Sequence, residues 1–119
     1  MKYLPLLVGL WCAVRTSDIA FDGSKPFVLY MVIQNTTGKP VDVTKLNMAL
    51  SIDGKPMANF HDVLVKGAEP VWHAVPTGKY LPFGIELSQQ VAQAGTHTLK
   101  LTGDCPSNEA RVLTERRQK

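Results

Sequence analysis

The sequence predicts an all-β fold, an antiparallel sandwich of seven to nine short strands with at most one short helical turn. Three observations carry this. Apolar runs of four to eight residues, rich in β-branched and aromatic types, recur along the chain. Turn residues divide them densely, with nine glycines and eight prolines in 119 residues. No stretch alternates strands with long helical periods, so a parallel α/β architecture is excluded. The length is that of one domain, and 45% hydrophobic against 19% charged residues excludes disorder. A chain of this size buries roughly two thirds of its unfolded surface, so it needs no metal or disulfide to hold a core.

The first segment is special. Lys2 precedes an apolar run over residues 3–14, and Arg15 to Asp18 restore polarity. A basic start followed by about a dozen apolar residues is the pattern of a secretory signal, and it is shorter than the ~20 residues that span a bilayer. Residues 1–17 are therefore expected to be a signal peptide or amino-terminal hydrophobic segment, 18–114 the folded domain and 115–119 a basic tail. The protein is then periplasmic or secreted, without a stable membrane span once the leader is cleaved. Signal peptidase favours small residues at −3 and −1, but Trp11 stands at −3 to Ala13 and Asp18 at −3 to Ala20. Two other readings therefore stand: residues 6–14 as the first buried strand of a cytoplasmic domain, or an uncleaved anchor.

The strands follow in order. Residues 19–21 form a brief strand stopped by Asp22-Gly23, and residues 27–33 a longer one stopped by the turn-rich 34–40. Within 41–52, Leu46, Met48, Leu50 and Ile52 alternate with polar or small residues, the period-two mark of a half-buried strand. Asp53-Gly54 is a hairpin signal. Residues 60–65 and 71–75 read as strands, and Pro82 marks 80–87 as an edge or irregular strand. Residues 88–94 favour helix for one or two turns at most. Residues 96–102 and 110–114 complete the set.

Three phrases carry a resemblance: Ile33-Gln-Asn-Thr-Thr-Gly-Lys-Pro-Val41, Pro76-Thr-Gly78 leading to Leu87-Ser88, and Gly95-Thr-His-Thr-Leu99. With them, residues 19–114 resemble bacterial immunoglobulin-like domains of secreted and cell-envelope proteins. The resemblance implies an immunoglobulin-like sandwich, a scaffold used for adhesion, inhibition, chaperoning and spacing alike. His97 stands where such domains commonly carry tyrosine. Where that tyrosine clasps nearby backbone, the resemblance implies a ring nitrogen of His97 in its place.

Chemistry-bearing residues are sparse. His61, His73 and His97 form no ligand-spaced pair, and His73 reads as a strand residue pointing opposite to Trp72. Ser17, Ser24, Ser51, Ser88 and Ser107 lie in no Gly-x-Ser-x-Gly elbow. Cys105, in the turn-rich 103–108, is expected to be rather exposed. It is alone if the leader is removed, and it pairs with Cys12 only if the fold brings them together. Asn35-Thr-Thr37 fits the N-glycosylation pattern. Trp72 and Tyr80 flank Pro76-Thr-Gly78 and, if that turn closes a hairpin, offer an aromatic surface for a protein or glycan partner; a core role is the preferred reading of Trp72.

The net charge of +3 comes from the ends, where Lys2, Arg15, Arg116, Arg117 and Lys119 face one Glu115. Between Asp18 and Thr114 eight basic residues meet nine acidic ones, so no basic face for nucleic acid is expected. No catalytic, cofactor or metal residue is assigned. The expected function is an exported, non-enzymatic binding or assembly module working by strand-edge pairing or by the 88–94 and 103–108 loops. A protease inhibitor of similar architecture is the alternative, ahead of a secreted hydrolase or metal enzyme.

Overall fold

A computed structural model describes residues 10–115. Eight strands form two sheets. The three-stranded sheet runs in the order β1 (Leu10–Thr16), β3 (Val28–Asn35), β6 (Tyr80–Glu86). The five-stranded sheet runs β2 (Ala20–Phe21), β8 (Ala110–Thr114), β7 (Gly95–Gly103), β4 (Met48–Ile52), β5 (Lys55–Pro56). Every pairing is antiparallel except β2 with β8. The chain is mostly β, as the sequence predicts.

Period-two alternation explains how both sheets share one core. Cys12 and Val14 of β1, Leu29, Met31 and Ile33 of β3, and Leu81 and Ile85 of β6 point inward. They meet Met48 and Leu50 of β4, Leu99 and Leu101 of β7, and Val112 of β8 in one cluster. Beyond β1, the backbone crosses to the other sheet at Ser17-Asp18. Ser17 marks the end of the first pairing, its N–H donating to the Val28 carbonyl while its Oγ accepts the Val28 N–H.

Residues 10–16, expected within the leader or as part of a first strand, are β1, paired over seven registered positions with β3. Residues 1–9 and the basic residues 116–119 lie outside the described residues. Cys12 is disulfide-bonded to Cys105 across a sequence separation of 93. The expected exposure of Cys105 is thereby corrected, because its sulfur lies in the core cluster and the residue is fully buried.

The Asp53-Gly54 hairpin is present. Asp53 at φ 55° and Gly54 at φ 83° give the two left-handed positions that such a turn requires. Three expected strand segments differ. Residues 60–66 are a helix, α1 (Phe60–Lys66), because Phe60 and Leu64 are buried four apart, on one helical face. Asp62 in its first turn and Lys66 in its last complement the helix dipole. Residues 70–73 are a 3₁₀ turn begun by Pro70, whose fixed φ suits that position, so His73 ends a turn rather than sitting in a strand. Only Met48–Ile52 of the 41–52 run is strand, because Asp42 caps a 3₁₀ turn at Val43–Lys45. The helix-favouring 88–94 stretch forms turns.

One close approach fixes the exit from β7. Gly103 has φ 98°, and a Cβ there would fall on the Asn47 carbonyl oxygen. Gly103→Ala is expected to cost about 1–3 kcal/mol through strain and overpacking, read as a lower urea midpoint with an unchanged slope.

Candidate functional site

The three-stranded sheet buries one face and leaves the other uncovered by any described element. The residues alternating with its core positions are Trp11, Ala13 and Arg15 on β1, Val28, Tyr30, Val32 and Gln34 on β3, and Tyr80, Pro82, Gly84 and Glu86 on β6. Register assembles them into rows: Trp11–Gln34–Tyr80, then Ala13–Val32–Pro82, then Arg15–Tyr30–Gly84. Trp11 is 56% exposed, Tyr30 42% and Tyr80 62%, so three large aromatics stand on one face. Tyr30 is held by contacts on both sides. Its ring lies over Gly84, where a Cβ would be 3.4 Å from the ring carbons, and the Arg15 guanidinium stands 5.2 Å from the ring centroid.

Both edges of this sheet are blunted. The Asn35 N–H donates to the Lys79 carbonyl and the Leu87 N–H to the Phe27 carbonyl, which sets the pairing phase of β3 with β6. Odd-numbered β6 residues therefore bond β3, and even-numbered ones face outward. Pro82 falls at an outward position and offers no N–H, so a strand added there loses a ladder bond. On β1 the outward Val14 N–H donates to Asn108 Oδ1 (2.9 Å), and Asn108 Nδ2 donates to the Val14 carbonyl (3.0 Å). One amide thus occupies the edge as a neighbouring strand would. Asn108→Ala is expected to cost about 1–2 kcal/mol by leaving both backbone groups unpartnered, checked by urea unfolding.

The structure separates the two aromatics that the sequence paired. Tyr80 is on the open face, whereas Trp72 fills the core, edge-on to Phe83 with ring centroids 4.9 Å apart. The turn between them closes no hairpin. Val75 instead exchanges backbone hydrogen bonds with Val41 (3.1 and 2.8 Å). Trp11 and Tyr30 were missed as surface aromatics because Trp11 lies in an apolar run and Tyr30 in a strand. Their parity against Cys12, Val14, Leu29 and Met31 was the available signal.

Several other polar residues make defined contacts elsewhere in the fold. His61 Nε2 lies 2.9 Å from the Thr44 carbonyl, and His73 Nδ1 lies 3.5 Å from both Thr44 Oγ1 and Asp42 Oδ2. Thr44 donates its hydroxyl to Asp42 (2.5 Å) at the start of the Val43–Lys45 turn. That hydroxyl is the main reason the Asp42 carboxyl lies below its ordinary pKa. His97 is placed elsewhere. Its Nδ1 is 2.7 Å from Asp53 Oδ2 and its Nε2 2.5 Å from the Gln93 carbonyl, a ring-to-backbone clasp. Among the described residues no three His, Cys, Asp or Glu side chains are grouped to hold a metal ion.

Ser17 and Ser88 accept backbone N–H groups, Ser24 donates to Asp22, and Ser107 accepts from Leu101 and donates to the Asn108 carbonyl. Asn35 is 1% exposed, and its Nδ2 donates to both the Lys39 and Val75 carbonyls. A glycan on that nitrogen would displace a buried hydrogen bond. A cleft of 440 Å³ beside β2 is lined by Phe21, Gln89, Gln93, Thr114 and two carboxylates, Asp22 and Glu115. No described helix is long and apolar enough to cross a membrane.

Compared with known proteins, the chain matches no family model, no curated protein and no solved structure.

Proposed function

We propose that the chain is an immunoglobulin-like sandwich acting as an exported, non-enzymatic binding module, with the open face of its three-stranded sheet as the binding surface. The observation that carries this reading is the convergence of Trp11, Tyr30 and Tyr80 on one uncovered face. Exposed aromatics of this size are enriched where partners bind, because they supply contact area at low entropic cost.

The strand order supports the immunoglobulin-like assignment. The first strand is split between sheets as β1 and β2, β2 runs parallel to the last strand, and β8, β7, β4 and β5 follow as neighbours. Where such sandwiches carry a further strand beside β6, this chain has α1 and the Pro70–His73 turn before it. The Cys12–Cys105 disulfide supports an oxidising compartment, periplasmic or extracellular. It requires that β1 stay in the mature protein.

Protection of Trp11 tests the reading. The chain has two tryptophans, and Trp72 is buried. A bound partner is expected to shield Trp11 from acrylamide and shift its emission to the blue. Screening protein and polysaccharide panels should yield a partner whose affinity falls at least tenfold in Trp11→Ala and in Tyr80→Ala. Binding that is indifferent to both variants would place the site elsewhere.

A further inference from the structure

We infer that the ligand of this face is an uncharged, extended glycan chain lying across the three strands, stacked on Trp11 and Tyr80 with the Gln34 amide between them. The inference rests on the binding-module reading and adds the chemistry of the partner.

Spacing is the first argument. Trp11 and Tyr80 share a row with Gln34 on the middle strand, so their Cα atoms are two strand spacings apart, roughly 10 Å. That is about the length of a disaccharide unit. Aromatic side chains rooted at that spacing suit sugars two residues apart in one chain, each offering a C–H face to a ring. The sugar between them lies over Gln34, whose amide both donates and accepts hydrogen bonds and so suits hydroxyl groups. In the next row Ala13, Val32 and Pro82 present no charge, leaving a low, apolar floor beside the aromatic row.

Charge is the second argument. The face carries one cation, Arg15, and one anion, Glu86, and Arg15 is already engaged over Tyr30. A surface with no net charge is complementary to a neutral ligand rather than to a phosphate, a uronate or an acidic peptide.

Area favours a small ligand over a protein partner confined to this face. Seven registered positions across three strands give a face about 23 Å by 14 Å, on the order of 300 Å². A standard protein interface takes about 800 Å² from each partner. Extension of the sheet by an added strand is opposed at β6 by Pro82 and at β1 by the Asn108 amide. A short glycan needs neither the larger area nor a free edge.

The test titrates the full chain with cellohexaose, xylohexaose and chitohexaose, following Trp11 emission and acrylamide quenching, with calorimetry as the second measure. At least one neutral hexasaccharide is expected to shield Trp11. Its affinity should fall at least tenfold in Trp11→Ala and Tyr80→Ala, and at least tenfold on shortening to the monosaccharide. The near-ultraviolet dichroism of buried Trp72 reports that each variant is folded. Failure of all three sugars to protect Trp11 overturns the glycan inference. A protein partner or self-association lost in Tyr80→Ala would then leave the binding-module reading standing. Glycan binding unaffected by either substitution overturns both.

Discussion

Replacing Cys12 and Cys105 together by alanine is expected to lower the unfolding free energy by about 4–5 kcal/mol. The bond closes a loop of 93 residues' separation, and loop-closure entropy alone gives about 4.7 kcal/mol for a loop near 100 residues. For a domain whose whole net stability is about 5–15 kcal/mol, that is a large fraction. The loss should fall chiefly on the unfolded state. β1 keeps its seven registered partners on β3 and its two hydrogen bonds to Asn108 when the sulfurs are gone. The double variant should therefore give native far-ultraviolet dichroism at low temperature with a much lower urea midpoint. Both cysteines are buried, so dithiothreitol should act slowly on the folded protein and quickly once urea opens it. A double variant within about 1 kcal/mol of the native protein would contradict the loop-closure account.

Strand parity made most of the β framework legible. Met48, Leu50 and Ile52 alternate visibly, and Asp53-Gly54 can hardly be anything but a two-residue turn. Two of the three segments that differ from the expected strands lie between Lys55 and Tyr80. Between Lys55 and Tyr80 the apolar residues Phe60, Val63 and Leu64 follow the helical interval. In a seven-residue element such an interval spans only two turns and competes poorly with β-branched composition. Trp72 sits in a 3₁₀ turn whose one sequence sign is the preceding Pro70.

The site was less legible because a surface is defined by three strands at once. Trp11, Gln34 and Tyr80 are far apart in sequence, and only the registers of β1 with β3 and of β3 with β6 bring them into one row. The apolar run at residues 3–14 reads as a leader, an anchor or, over 6–14, a strand. A strand with one buried and one exposed aromatic-bearing face has nearly the composition of a leader's hydrophobic stretch. The disulfide partner of Cys12, in the loop beyond β7, is likewise a product of topology rather than spacing.

The hairpin clasp carries the second large effect. Asp53 Oδ2 and the Gln93 carbonyl both accept hydrogen bonds and neither donates, so both ring nitrogens of His97 must be donors, which is the imidazolium form. Burial of His97 opposes that charge. The hydrogen bonds from the ring to Gln93 and Asp53 outweigh it, and the His97 pKa is raised above its ordinary 6.5. For Asp53, burial again opposes the charge, and the contacts with His97 and the Thr98 N–H outweigh it, so its pKa is lowered from 3.8. A raised histidine pKa contributes stability that is complete below the unfolded value and is lost as pH climbs through the folded one. A lowered carboxyl pKa contributes stability that is complete above the unfolded value and is lost on acidification. The clasp is therefore strongest between about pH 4 and 6.5, and urea unfolding should show stability declining from about pH 6.5 upward. Asp53→Ala removes the carboxylate from both His97 and the Thr98 N–H at a position with φ 55°. A fully buried pair broken on one side costs about 3–5 kcal/mol, and with the Asp53 side chain 45% exposed about 2–4 kcal/mol is expected. Asp53→Asn separates charge from geometry, since asparagine tolerates the left-handed backbone and still presents an acceptor. It should cost less than alanine and flatten the decline above pH 6.5. Identical pH profiles for Asp53→Asn and the native protein would show that the His97–Asp53 pair is not their source.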